Sequence, residues 1–180
     1  MMAAGGPPPP PAVKAGLTWD RLLLQAAGFL ASQGVEDARL EAQSLLCYHL
    51  GWSRAELYVY CREKPAPEIE AGFWGLIRRR GRGEPTAYIQ RHREFFGLDF
   101  YIDPRVFIPR PETELLMEEA LRLAAGYPPA ETLLLADIGT GSGAIAISLA
   151  LKLPHAHIYA TDVSPGALGV AALNCRRPRV

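Results

Sequence analysis

A chain of 180 residues with 49% apolar content can bury the core of one ordinary domain or two small ones, so a soluble globular protein is expected. Nineteen basic and nineteen acidic residues cancel, which leaves no global field to recruit nucleic acid or a membrane surface, and no apolar run has the length of a membrane span. Three scattered cysteines, Cys47, Cys61 and Cys175, exclude a disulfide framework and a C-x-x-C metal pair; a reducing, cytoplasmic setting follows, with Cys47 and Cys61 as buried inert thiols.

Residues 1–16 open with Met1-Met-Ala-Ala-Gly-Gly-Pro-Pro-Pro-Pro-Pro11, which matches neither a secretory nor a transit signal, and a disordered, polyproline leader is expected. From Thr18, a residue able to cap, Leu22, Leu23, Ala26, Ala27, Phe29 and Leu30 recur at helical spacing until Gly34. A second helix is predicted over 36–50, lined by Leu40, Ser44, Leu45, Tyr48 and His49 and stopped by Gly51. A third runs from Ser53 through Tyr60, and a fourth starts at Pro67 with Ile69, Phe73, Trp74 and Ile77 on one face. Short connections imply antiparallel neighbours, so residues 17–82 are expected to form a small helical bundle. Arg78, Arg79, Arg80 and Arg82 crowd the end of the fourth helix. They are either solvated charges that offset the macrodipole or a contact surface for an acidic or RNA-bound partner.

Past Gly83-Glu-Pro-Thr-Ala-Tyr-Ile89, the run Arg93-Glu-Phe-Phe-Gly-Leu-Asp-Phe-Tyr-Ile102 puts Phe96, Leu98, Phe100 and Ile102 on one side and reads as a β-hairpin. With two prolines stiffening the chain around Arg110, residues 83–110 read as a hairpin linker. Pro111 opens a helix with Glu112 and Glu114 in its first turn.

Residues 133–135, all leucine, then lead into Ala136-Asp-Ile-Gly-Thr-Gly-Ser-Gly-Ala-Ile-Ala-Ile-Ser-Leu-Ala150, a strand, a glycine turn and a helix. Glycines at this point of an α/β unit let a ligand lie against the main chain, with the opening N–H groups of the next helix facing it. Asp162 closes the run His157-Ile-Tyr-Ala-Thr161, about twenty residues on, where an acidic residue would hold ribose hydroxyls. The spacing Gly139-x-Gly141-x-Gly143 brings the third glycine one residue earlier than in the dinucleotide fingerprint, and Asp137 precedes the first by two. A carboxylate repels a pyrophosphate and favours an ammonium group, so the pattern points to S-adenosylmethionine in preference to NAD. The competing interpretation is a glycine turn selected only for tight strand-to-helix packing. His92, His155 and His157 have no carboxylate or cysteine at a ligand or triad spacing and are expected at the surface or at strand ends.

Gly83-Glu-Pro-Thr-Ala-Tyr-Ile89, Arg93-Glu-Phe-Phe-Gly97, Ile108-Pro-Arg-Pro-Glu-Thr-Glu114 and Asp137-Ile-Gly-Thr-Gly-Ser-Gly-Ala-Ile-Ala146, in this order after a helical bundle, resemble the release-factor glutamine methyltransferases, the HemK/PrmC family. The glycine motif is common to many methyltransferases; the block at 108–114 is far more specific. Arg91 stands where the family commonly has glycine. The resemblance implies an α/β enzyme: an N-terminal helical substrate-recognition bundle, a β-hairpin linker, and over 111–180 the first part of a Rossmann-like class I methyltransferase sheet. It implies transfer of a methyl group from S-adenosyl-L-methionine to the glutamine amide in the Gly-Gly-Gln tip of peptide chain release factors. It carries cofactor binding onto Gly139, Thr140, Gly141, Ser142, Gly143 and Asp162, and sets Arg110 and Thr113 beside the cofactor or the joint of the two parts. A release factor is the expected partner, with no membrane or direct nucleic-acid contact, and the expected state is a monomer in the cytoplasm.

The family's Asn-Pro-Pro-Tyr motif, which grips the glutamine amide, has no counterpart in these residues, so no catalytic residue is named and no metal is expected. Residues 1–180 by themselves are expected to be inactive, with exposed apolar strand faces and a mobile glycine turn. Two alternatives stay open: an adenine-N6 nucleic-acid methyltransferase with the same cofactor turn, and a non-catalytic binding remnant.

Overall fold

The computed structural model describes residues 16–128 and 132–177. The proline-rich leader lies, apart from Gly16, outside the described residues. The chain divides into two compact units after Gln90, whereas composition starts a linker at Gly83. The cause is a short helix over Thr86–Gln90 that packs into the first unit, its Gln90 amide donating to the Ser44 carbonyl (3.2 Å) and hydroxyl (2.9 Å).

The first unit comprises α1 (Trp19–Ser32), α2 (Ala38–Leu50), α3 (Arg54–Tyr60), α4 (Pro67–Gly81) and α5 (Thr86–Gln90). α1 buries Trp19, Leu22, Ala26 and Leu30, a stripe at helical spacing that packs on α2 and α4. The inward face of α2 is Ala42, Leu45 and Leu46; Leu40 and Tyr48, expected on it, are exposed. In α4 the buried row is Glu70, Phe73, Trp74 and Ile77, at i, i+3, i+4 and i+7, so Ile69 is turned outward against expectation. The two bulky aromatics fix the phase, and a carboxylate one residue along is carried inside with them.

Local chemistry sets the helix ends. Ser53 and Glu56 form a reciprocal capping box on α3: the Ser53 hydroxyl accepts from the Glu56 N–H at 3.2 Å and the Glu56 carboxylate accepts from the Ser53 N–H at 2.7 Å. Gly51 ends α2 in the left-handed region at φ 66°, the cap glycine tolerates best. The arginine cluster is partly internal: Arg79 donates twice to Glu84 (2.7 and 2.6 Å) and Arg80 to Glu41 (3.1 Å). Solvated surface therefore describes Arg82, which is exposed, better than it describes Arg79 and Arg80.

The second unit begins with a hairpin of β1 (Arg93–Phe95) and β2 (Leu98–Phe100), paired antiparallel with Phe95 opposite Leu98. Phe96 does not lie on the strand's apolar side as expected. It and Gly97 form a two-residue turn with φ of 53° and 73°, the positive angles a tight hairpin needs. Phe95 is buried in its place, packed on Phe100. The Phe96 N–H donates to the Glu114 carboxylate at 3.0 Å, which helps hold a non-glycine residue in this conformation.

Then follow α6 (Thr113–Ala124), β3 (Leu133–Ile138), α7 (Ala144–Lys152), β4 (Ala156–Thr161) and α8 (Pro165–Arg176). β3 and β4 run parallel, from Leu133 opposite Ala156 to Ile138 opposite Thr161, with α7 as the crossover packed on both. The fold is thus α/β: a helical bundle, a β-hairpin, and the start of a Rossmann-like parallel sheet. Alternation leaves Leu134, Ile138 and Tyr159 exposed on one face of these strands. No helix among the described residues is long and apolar enough to cross a membrane.

Candidate functional site

β3 delivers the chain to the glycine loop, and the end of β4 holds that loop in place. The N–H groups of Gly139 and Thr140 both donate to the Thr161 carbonyl (2.9 and 2.8 Å), and the Gly143 N–H donates to the Thr140 carbonyl (2.8 Å). Asp137 anchors the far side. Its Oδ2 accepts from the Thr140 hydroxyl at 2.7 Å and from the Ala146 N–H at 3.2 Å, in the first turn of α7. A carboxylate there satisfies an otherwise orphaned helix donor and faces the positive end of the helix dipole.

Gly139, Gly141 and Gly143 all have positive φ (83°, 55° and 81°), but their surroundings differ. A Cβ on Gly139 or Gly141 would meet nothing within 4 Å, whereas on Gly143 it would lie 3.0 Å from Ile147 Cδ1 and 3.1 Å from the Ala171 Cβ. Two of the glycines therefore leave open space over the main chain, while the third lets α7 and α8 approach. Thr140 and Ser142 are buried inside the loop. Tight packing thus accounts for Gly143, while Gly139 and Gly141 leave the space that a ligand lying against the main chain would need.

Asp162 lies at the end of β4. Its Oδ1 accepts from the Ser164 N–H and its Oδ2 from the Gly141 N–H, each at 2.9 Å. These two backbone donors hold its carboxyl below the ordinary carboxylate range. The charged group keeps lone pairs beyond those two bonds, next to the open space at Gly141. The six residues picked out by sequence, Gly139, Thr140, Gly141, Ser142, Gly143 and Asp162, converge on one loop. The arrangement can accept hydroxyl groups from a ligand lying against the glycine backbone.

The other sequence candidates lie elsewhere. His155 and His157 are exposed, and Arg110 is exposed ahead of α6. His92 is exposed too, but it is paired with Asp99, a carboxylate partner that linear spacing did not reveal and the hairpin register supplies. Cys47 and Cys61 are half-buried rather than buried, and Cys175 is exposed; burial pushes the Cys47 thiol up, away from nucleophilic use. No cluster of His, Cys, Asp and Glu among the described residues could hold a metal. The residue that sequence reasoning passed over is Asn174, read only as part of the last helix. It is buried, and it contacts the carbonyl of Ser142. Its signal was a polar side chain in register with an apolar helix stripe.

Comparison with known proteins divides the chain in a similar way. A family model described as PrmC N-terminal domain matches residues 21–90, and one described as ribosomal protein L11 methyltransferase (PrmA) matches residues 120–180. The chain is 45% identical over 161 residues to the release factor glutamine methyltransferase of Moorella thermoacetica, covering 89% of this chain and 56% of that protein. With the release factor glutamine methyltransferase of Geobacter sulfurreducens, identity is 47% over 161 residues, covering 89% and 53%. With that of Chlorobaculum tepidum it is 46% over 156 residues, covering 85% and 53%. The chain spans about half the length of the curated relatives it matches.

Proposed function

We propose that this chain, a homologue of the release factor glutamine methyltransferases, carries the S-adenosylmethionine-binding part of a protein-glutamine N5-methyltransferase acting on peptide chain release factors in the cytoplasm. The observation that carries the reading is the open backbone at Gly139 and Gly141 beside the ionised Asp162. The donor set fits the cofactor: hydroxyl groups need an acceptor, which Asp162 is, and the methionine half needs close main-chain approach, which glycine permits.

S-adenosylmethionine, when bound, supplies an electrophilic methyl group. The protein's part is orientation. Asp162 would take the ribose hydroxyls with its remaining lone pairs, and Gly139 and Gly141 would admit the methionine half against the loop. Asp137 and the Thr161 carbonyl hydrogen-bond that loop at Gly139, Thr140 and Ala146. A glutamine amide nitrogen is a weak nucleophile, because its lone pair is delocalised into the carbonyl, so alignment and hydrogen bonding must favour attack. The family's amide-gripping Asn-Pro-Pro-Tyr motif has no counterpart here, and no residue of this chain is assigned that role. The helical residues are proposed to recognise the substrate; the names of the relatives, release factor glutamine methyltransferases, favour a protein substrate over a nucleic acid.

Calorimetry with S-adenosylmethionine tests the reading. Asp162→Ala is expected to lose roughly ten- to hundredfold in affinity, the worth of charge-assisted bonds to two hydroxyls, and Asp162→Glu to retain part of it. Equal affinity for wild type and Asp162→Ala would remove Asp162 from the site.

A further inference from the structure

We infer that Asn174 is a positioning residue that fixes the glycine loop to the chain segment leaving the hairpin, so that the order of the cofactor loop depends on a side chain that need not touch the cofactor. The inference rests on the cofactor reading above only for its consequence in binding.

α8 presents a buried row of Ala167, Val170, Ala171 and Asn174, one amide continuing an apolar stripe. Hydrogen bonding explains a buried amide at that position. Asn174 Oδ1 accepts from the Tyr101 N–H at 2.8 Å, and its Nδ2 donates to the Tyr101 carbonyl at 3.0 Å and to the Ser142 carbonyl at 2.9 Å. Asn174 thus pairs with Tyr101 as a neighbouring strand would, and spends its second N–H on the loop. Asparagine is the shortest side chain with one acceptor and two donors in this fork; aspartate has no donor, and leucine has neither.

The rest of α8 is shaped for the same segment. A Cβ on Gly166 would lie 3.4 Å from the Arg105 Cδ, and one on Gly169 would lie 3.8 Å from an Arg105 guanidinium nitrogen. Arg105 is itself held by Asp103 through both carboxylate oxygens (3.0, 3.0 and 2.6 Å). Residues 101–105 therefore lie on α8 through two independent sets of contacts. Asn174 extends from there to the loop by a hydrogen bond, beside the packing of Ala171 against Gly143. Ser142, 3% exposed, sits between Gly141 and Gly143, and the one hydrogen bond its carbonyl accepts from Asn174, whose amide is held by two more at Tyr101, fixes the loop's backbone path at its middle.

The halves of the fork are separable. Asn174→Asp keeps the acceptor for the Tyr101 N–H and loses both donors; Asn174→Ala loses all three bonds. Amide hydrogen exchange on the 180-residue chain reads each half without cofactor. Asn174→Ala is expected to speed exchange at Gly141 and Gly143 and at Tyr101 by about tenfold or more, with Leu135 in β3 unchanged, the scale of one lost bond per site. Asn174→Asp is expected to speed the loop amides alike but leave the Tyr101 amide protected. Calorimetry should show S-adenosylmethionine binding weakened about tenfold in both. Unchanged loop exchange in the folded variants overturns the inference, as does acceleration spread evenly through β3, α7 and β4, which would mean a general loss of stability. If Asn174→Ala fails to fold, Asn174→Asp alone decides by the contrast between Tyr101 and the loop. Should wild type bind no S-adenosylmethionine while the exchange pattern holds, the cofactor reading falls and the positioning role stands.

Discussion

The helical unit and the α/β unit bury their apolar residues by different rules. In the first, α1, α2 and α4 each turn one stripe toward the others, and Leu22, Leu45, Phe73 and Ile77 are fully buried. Three helices can close a core among themselves. In the second, β3 and β4 pair along six residues yet none of their residues is fully buried, and Leu134, Ile138 and Tyr159 are 66%, 78% and 63% exposed. A parallel strand needs a neighbour on each edge and helices on both faces, so each strand's burial depends on elements other than itself. Thr140, Ser142, Ala171 and Asn174 are buried where α8 and the hairpin segment close on the glycine loop. Stability and the candidate site are thus differently distributed in the two units.

Side-chain truncation should break this comparison most strongly. Phe73→Ala is expected to cost about 3–5 kcal/mol in the unfolding of the helical unit, the transfer loss plus a cavity. Tyr159→Ala, on the exposed strand face, is expected to change stability by no more than about 0.5 kcal/mol. Urea titration followed by helical circular dichroism checks the pair; comparable losses would mean that the open strand face is covered.

Glycine substitutions sharpen the contrast within the second unit. Gly143→Ala is expected to lose about 2–4 kcal/mol, because left-handed strain adds to the approach of Ala171 and Ile147. Gly139→Ala, strained but facing open space, should lose only about 1–2 kcal/mol while weakening cofactor binding. Thermal melts of the two variants, with and without S-adenosylmethionine, check both halves.

The smallest effect concerns pH. The guanidinium of Arg105 hydrogen-bonds Asp103 and holds its carboxyl at about 2, against an ordinary 3.8. A depressed carboxylate stabilises the fold above its unfolded value and loses that contribution as pH falls through the folded one. Stability of the second unit should therefore decline between about pH 4 and pH 2, and Arg105→Gln should flatten that part of the curve. Denaturant midpoints at a series of pH values measure the slope.

Much of the fold is local and so could be read from the chain. Helical spacing marked α1 to α4, Ser53 the start of α3, and Gly51 the stop of α2. The glycine loop with an acid at the next strand end was legible because a backbone path that needs positive φ selects glycine whatever surrounds it. What periodicity could not settle is phase. Ile69 and Glu70 are neighbours 100° apart on a helix, and only the packing of Phe73 and Trp74 decided that the carboxylate goes in. The hairpin likewise buried Phe95 and put Phe96 in the turn, where the distant Glu114 meets its amide. Asn174 was the hardest to see: its partners are 73 and 32 residues away along the chain. Local sequence fixes which backbone conformations are cheap, but a hydrogen bond across that separation exists only once tertiary packing has brought its two ends together.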